Sequence, residues 1–238
     1  MARTDPPKLV VALDGPASSG KSSVGAAAAL ELGYRFCDTG MLYRVTTWLA
    51  LQRGIEARDV AAVTALVEEV ELAPDEVGRL GRVLVDRSDV TDAVHSAEVD
   101  EVVSAYAQIP EVRAALVPRQ RALAEGGGLI MAGRDIGTVI LPDADLKIYL
   151  DASVEERARR RAEERGLGPG DDEAWDILVQ LRRRDEIDRT RSVAPLRSAP
   201  DATIIRTDGN RFDETVGAVV ATIRAAEAAA GETAATRP

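Results

Sequence analysis

Apolar positions along the chain fall into two kinds of run. Residues 8–14 (KLVVALD), 34–37 (YRFC), 129–133 (LIMAG), 145–151 (DLKIYLD) and 202–208 (ATIIRTD) are short apolar blocks and predict buried strands. Between and around them, apolar residues recur at helical spacing: Ser22 to about Leu32, DTGMLYR through about Arg53 with Gly54 marking the end, Asp59 to about Glu69, and Glu111 to Glu125. Two more such stretches run from about Glu173 to Arg191, stopped near Pro195, and from about Phe212 to Ala229. Strands alternating with helices predict an α/β fold with a parallel sheet.

Three segments break this rhythm. From about 59 to 110 the pattern changes, with turn signals at Pro74 and Gly78–Gly81 and an alternating stretch, RVLVD, which reads as an inserted subdomain. Residues 155–172 carry interleaved arginine and glutamate and then a glycine-rich loop, as a mobile arm would. The closing GETAATRP, 231–238, is of low complexity and is expected to be disordered. One elaborated domain over residues 1–230 is the expected organisation.

Composition narrows the chemistry. The single cysteine, Cys37, excludes an intrachain disulfide framework, and the lone His95 removes histidine-based metal clusters. No run approaches the ~20 apolar residues of a membrane span, and MARTDPPK lacks a signal-like stretch, so a cytoplasmic protein without membrane contacts is expected. A net charge of −10 and an aromatic content of 3% argue against a nucleic-acid partner. Of 30 basic residues only Lys8, Lys21 and Lys147 are lysines, which singles out Lys21.

Gly15, Pro16, Ala17, Ser18, Ser19, Gly20, Lys21 and Ser22 spell G-x-x-x-x-G-K-S between a predicted strand and a predicted helix, with Ser23 next in line. Glycine lets backbone N–H groups close on phosphate oxygens, the helix N-terminus adds positive potential, Lys21 reaches the outer phosphates, and the Ser22 hydroxyl can ligate Mg²⁺. A dinucleotide fingerprint needs G-x-G, whereas proline follows Gly15 here. ATP is the expected occupant.

Transfer to a second phosphate calls for clustered arginines. Arg44, Arg113, Arg134, the group from Arg157 to Arg165, Arg184 and Arg191 supply them. Arg184, Asp188 and Arg191 share one helical stripe, which suits a sugar phosphate; the plainer reading is a solvated face of ion pairs. The same plain reading covers most of EERARRRAEER. Arg134 and Asp135 adjoin at a strand end, where only a turn can aim both at one ligand.

GPASSGKSS, DTGMLYR, SAYAQIPEVR, GRDIGT and RDEIDRTRSVAPL occur in order, and over residues 8–225 the chain resembles the bacterial cytidylate kinases, a branch of the nucleoside monophosphate kinases. The resemblance implies a P-loop three-layer α/β core with a five-stranded parallel sheet, a monophosphate-binding insertion and a short arginine-rich lid. It implies Thr39 and Arg44 at the acceptor ribose and phosphate, Arg134 and Arg191 on that phosphate, Arg184 and Asp188 on the ribose, and Ser104, Arg113 and Asp135 reading cytosine. Arg157, Arg160 and Arg161 occupy the family's lid positions. The substrates would be ATP with Mg²⁺ and CMP or dCMP, the enzyme a monomer.

The sequence departs from the family at Ala132, where an acidic residue is usual, at His95, often arginine, and at Thr39, often serine. Rival readings are a P-loop kinase for UMP, AMP, dTMP or shikimate, and a regulatory ATPase. The latter lacks support from any N-K-x-D guanine motif.

Overall fold

The computed structural model describes residues 8–168 and 170–235. The chain opens as β1 (Val10–Asp14), α1 (Lys21–Leu32), β2 (Arg35–Asp38) and α2 (Gly40–Gln52). A middle section follows: α3 (Val60–Leu66), β3 (Val70–Pro74), β4 (Leu80–Val85), β5 (Ser88–Asp89), α4 (Ala97–Ala107) and α5 (Pro110–Ala124). The chain returns through β6 (Leu129–Gly133), β7 (Leu146–Asp151), α6 (Val154–Glu164), α7 (Asp172–Thr190), β8 (Thr203–Arg206) and α8 (Phe212–Ala235).

The expected parallel core is present, in the order β2-β6-β1-β7-β8. Its middle strands are covered on both faces, which is why their sequences are unbroken apolar blocks. α1 and α8 pack on one face around Leu13, Val24, Phe36, Ile148, Val219 and Ile223, while Ala12, Met131, Ile136 and Ile140 fill the other. α6 pairs with α7 through Ala158, Ala162, Ile177 and Leu181, against Ala17 of the loop after β1.

The middle section departs from the sequence reading in two places. RVLVD lies in β4 as expected, but β4 also pairs antiparallel with β3 and β5 and touches the main sheet through Cys37 and Leu80. Pro74 ends β3 at a register shift, where a residue without an N–H is tolerated. α4, unassigned from sequence, starts at an N-cap, Ser96 Oγ accepting from Val99 N at 3.3 Å. These elements pack with α2 and α5 around Leu42, Val63, Val83, Val99 and Leu116.

The tail is also corrected. α8 continues past Ala229 to Ala235, so residues 231–235, expected to be disordered, are helical, as their alanine-rich context favours. The rest of that tail, 236–238, lies outside the described residues. Among the described residues no helix is long and apolar enough to cross a membrane.

β1 runs to β2 across β6, whereas β6 runs to β7 across β1, so the connections part at the carboxyl ends of β1 and β6. In open α/β sheets ligands bind in such a crevice.

Candidate active site

The loop after β1 is shaped by its glycines. A Cβ on Gly15 would stand 2.3 Å from the Leu150 carbonyl oxygen, so only glycine lets the loop leave the sheet this close to β7. Gly20 caps α1 in the left-handed region at φ 89°, turning the first N–H groups of that helix toward the crevice. Lys21 folds back over the loop, donating to Pro16 O at 2.6 Å and to Ser19 Oγ at 3.2 Å. Burial, with Arg134 nearby, pushes its ammonium well below the usual lysine range. Ser22 Oγ donates to Asp38 Oδ2 at the end of β2.

A cavity of about 610 Å³ extends from this loop. It is lined by Ala17 through Ser23 on one side and by Thr39, Arg44, Ser104, Arg113, Arg134 and Asp135 on the other. Arg160 and Arg161 border it from α6; Arg184, Asp188 and Arg191 border it from α7 and its end. Gly15 and Pro16 of the loop do not line the cavity. The motifs thus converge on one place.

Asp14 explains how the adjacent Arg134 and Asp135 are both aimed inward. Its carboxylate accepts from Ile136 N and Gly137 N, each at 2.8 Å, pinning a wide helical turn, Ile136–Ile140, that starts directly after Asp135. Burial raises the Asp14 carboxyl to about 6, against the lowering effect of those two N–H groups. Asp135 is then bracketed: Arg113 Nη2 donates to Oδ2, and Arg191 Nη2 lies 3.4 Å from Oδ1, all three side chains nearly closed to solvent. The Arg113 guanidinium stacks 5.2 Å above the Tyr43 ring. Arg191 also reaches Asp188 at 3.8 Å, and Asp188 accepts from Arg134 Nε at 3.1 Å. Charges alternate along this wall.

Thr39 Oγ1 donates to Ala132 O at 2.9 Å, tying the start of α2 to β6. Arg184 is held among cations; burial, then Arg134 and Arg44, lower its guanidinium to about 10. His95 lines the same cavity, and burial with Arg44 lowers its imidazole.

Of the three arginines expected in a lid, two reach the cavity and one does not. Arg160 donates to Thr207 Oγ1 at 3.1 Å, and Arg161 pairs with Asp100 at 2.5 Å. Arg157, expected beside them in catalysis, is buried away from the cavity: it donates to Ala152 O at 3.0 Å and Ala17 O at 2.8 Å and pairs with Asp185 of α7. It braces the phosphate loop. Arg157→Met leaves the Asp185 charge buried and unpaired, so stability should fall by about 3–5 kcal/mol, read as a lowered midpoint in thermal or denaturant unfolding.

Asp14, Asp38, Tyr43, Asp100 and Asp185 were not singled out from sequence. Asp38 and Tyr43 lie within DTGMLYR and Asp185 within RDEIDRTRSVAPL, which were the available signals. The others are ordinary acidic residues until the fold shows what they face.

A helix-capped phosphate loop opening on a cavity walled by arginines defines a P-loop phosphotransferase. Residues 11–225 match the model of the cytidylate kinase family. A cytidylate kinase of Geobacillus kaustophilus is 47% identical over 214 residues, spanning 88% of this chain and 93% of its own length. One of Mycobacterium leprae is 46% identical over 200 residues, spanning 84% and 88%. The chain belongs to the cytidylate kinase family, a group of nucleoside monophosphate kinases.

Proposed function

We propose that this protein transfers the γ-phosphoryl group of ATP to CMP or dCMP, giving CDP or dCDP and ADP, as a monomer in the cytoplasm serving pyrimidine nucleotide metabolism. The observation that carries the reading is Asp135, an acceptor-only carboxylate held by two buried arginines on the wall facing the phosphate loop. Such a group accepts from the exocyclic amine of cytosine and faces an unfavourable carbonyl oxygen in uracil. Ser104 lines the same part of the cavity. In this reading the section from about 59 to 110 binds the monophosphate and the arm from about 155 to 172 is the lid.

The residues present fit Mg²⁺. The Ser22 hydroxyl, at the start of α1, and the Asp38 carboxylate, at the end of β2, are hard oxygen donors side by side, and among the described residues no cluster of three or more His, Cys, Asp or Glu could hold a metal by itself. That donor set suits an ion that keeps water and phosphate as its other ligands. Asp38 lies in register with Ala132, so a carboxylate stands beside Ser22 although position 132 lacks one. When bound, Mg²⁺ neutralises phosphate charge.

The chain's own residues do the rest by position and charge. N–H groups of residues 17–23 and Lys21 hold the donor phosphates, Arg134 and Arg191 the acceptor phosphate, and Arg160 and Arg161 approach from the lid. The acceptor oxygen is already anionic, so in-line transfer needs no side-chain base and no phosphoenzyme.

ADP release from ATP and Mg²⁺ over a panel of CMP, dCMP, UMP, AMP, dTMP, shikimate and no acceptor tests the reading. CMP and dCMP should lead, and chelation of Mg²⁺ should lower turnover at least a hundredfold. A lead by another acceptor, or acceptor-independent hydrolysis, overturns it.

A further inference from the structure

Asp100, on α4, has no part in the chemistry above, yet arginines from three elements converge on its carboxylate. Arg44 of α2 and Arg161 of α6 each pair with it at 2.5 Å; Arg184 of α7 lies at 3.7 Å and Arg165, just past α6, at 4.0 Å. One carboxylate cannot satisfy four guanidinium forks. Two features mark the arrangement as waiting for a further anion. Arg184 Nε is buried with no hydrogen-bond partner, and Arg44 and Arg184 both line the cavity while Asp100 stands behind them.

We propose that Asp100 is a positioning residue that holds the acceptor arginines in the empty site as a stand-in anion and shares them with the incoming monophosphate, thereby setting acceptor affinity and product release. The inference rests on a nucleoside monophosphate being the acceptor. In the empty site the carboxylate screens Arg44, Arg161 and Arg184 from one another, while their own helices α2, α6 and α7 keep them at the cavity wall. Arg44 is further fixed by donating to the Val94 carbonyl at 3.1 Å, so it stays within α4's section as partners are exchanged. The same carboxylate ties Arg161 of the arm to α4 across the mouth of the cavity. Strong compensation from neighbouring arginines keeps this carboxyl below the usual aspartate range despite burial.

The cost of the device is repulsion between Asp100 and the bound phosphate. A like charge about 6 Å away, at a screening between that of a protein surface and that of bulk water, weakens binding about tenfold. Asp100→Asn removes that charge and keeps the shape. Calorimetric Kd and KM for CMP are expected to fall about tenfold, KM for ATP to stay, and kcat to drop about threefold as the diphosphate product leaves more slowly. Asp100→Glu should return CMP affinity toward wild type. If the residue were only a structural contact, the Asn variant would bind CMP more weakly or unchanged and melt lower, which overturns the proposal. Asp100→Ser gives the same reading should the Asn variant fold poorly.

The wild-type panel separates the two claims. If a different monophosphate leads there, CMP specificity falls, and the Asp100 variants are judged with that monophosphate. If no monophosphate binds, both claims fall.

Discussion

Lys21→Ala is expected to lower kcat about a thousandfold while leaving the melting temperature unlowered. The rate loss follows from removing a preorganised cation aimed at transferring phosphate, an effect measured elsewhere at about 10²–10³ for a single donor and more for arginine fingers. The stability side follows from burial. Lys21 is 5% exposed, and its ammonium is pushed well below the lysine value of 10.5 because water has been replaced by protein, with Arg134 adding repulsion. A cation whose folded value is depressed opposes folding fully below that folded value, and the penalty vanishes as pH rises past the unfolded one. Deleting it relieves the penalty, offsetting the two lost hydrogen bonds. Initial rates and melts from pH 7 to pH 10 check both halves, with the wild type gaining on the variant as pH rises. A near-normal rate in Lys21→Ala, or a steep loss of stability at pH 7, would refute the account.

What could be read from sequence has a common cause. β1 and β6 are enclosed on both faces, so their composition declares them, and the loop between β1 and α1 declares itself because phosphate binding needs glycine, lysine and serine at fixed spacing. β3 is short and ends in Pro74, so neither period nor propensity marked it. Ion-pair partners were hidden for a different reason. Arg44 meets Asp100 and Arg157 meets Asp185 only because the topology brings distant helices together. On α6, spacings of three and four place Arg157, Arg160 and Arg161 on neighbouring parts of the helix surface, so periodicity alone could not separate them. Their neighbours do: Ala17 and Asp185 claim Arg157, Thr207 claims Arg160, and Asp100 claims Arg161.

Asp135→Asn is expected to lower the CMP-to-UMP ratio of kcat/KM about a hundredfold or more and to cost about 3 kcal/mol of stability. Both effects follow from one arrangement. The ionised carboxylate offers only acceptors, so it welcomes an amine and opposes a carbonyl; asparagine offers one of each and can turn to suit either base. Sites that read a polar group by buried hydrogen bonds discriminate by about 10⁴ or more, which leaves room for a large fall. The same change strips a charge from between Arg113 and Arg191, whose side chains are 4% and 3% exposed, and an unpaired buried charge is what makes such losses expensive. Arg113 keeps the Ala107 carbonyl and the Tyr43 ring, and Arg191 keeps Asp188, so the fold should survive for assay. Added salt should restore neither property, because the pairs are shielded from solvent ions. The two readouts also separate two meanings of Asp135. A loss of stability with the CMP-to-UMP ratio intact would reduce it to a structural ion pair and move base recognition elsewhere in the cavity. A collapse of the ratio would make the buried pair part of the recognition itself.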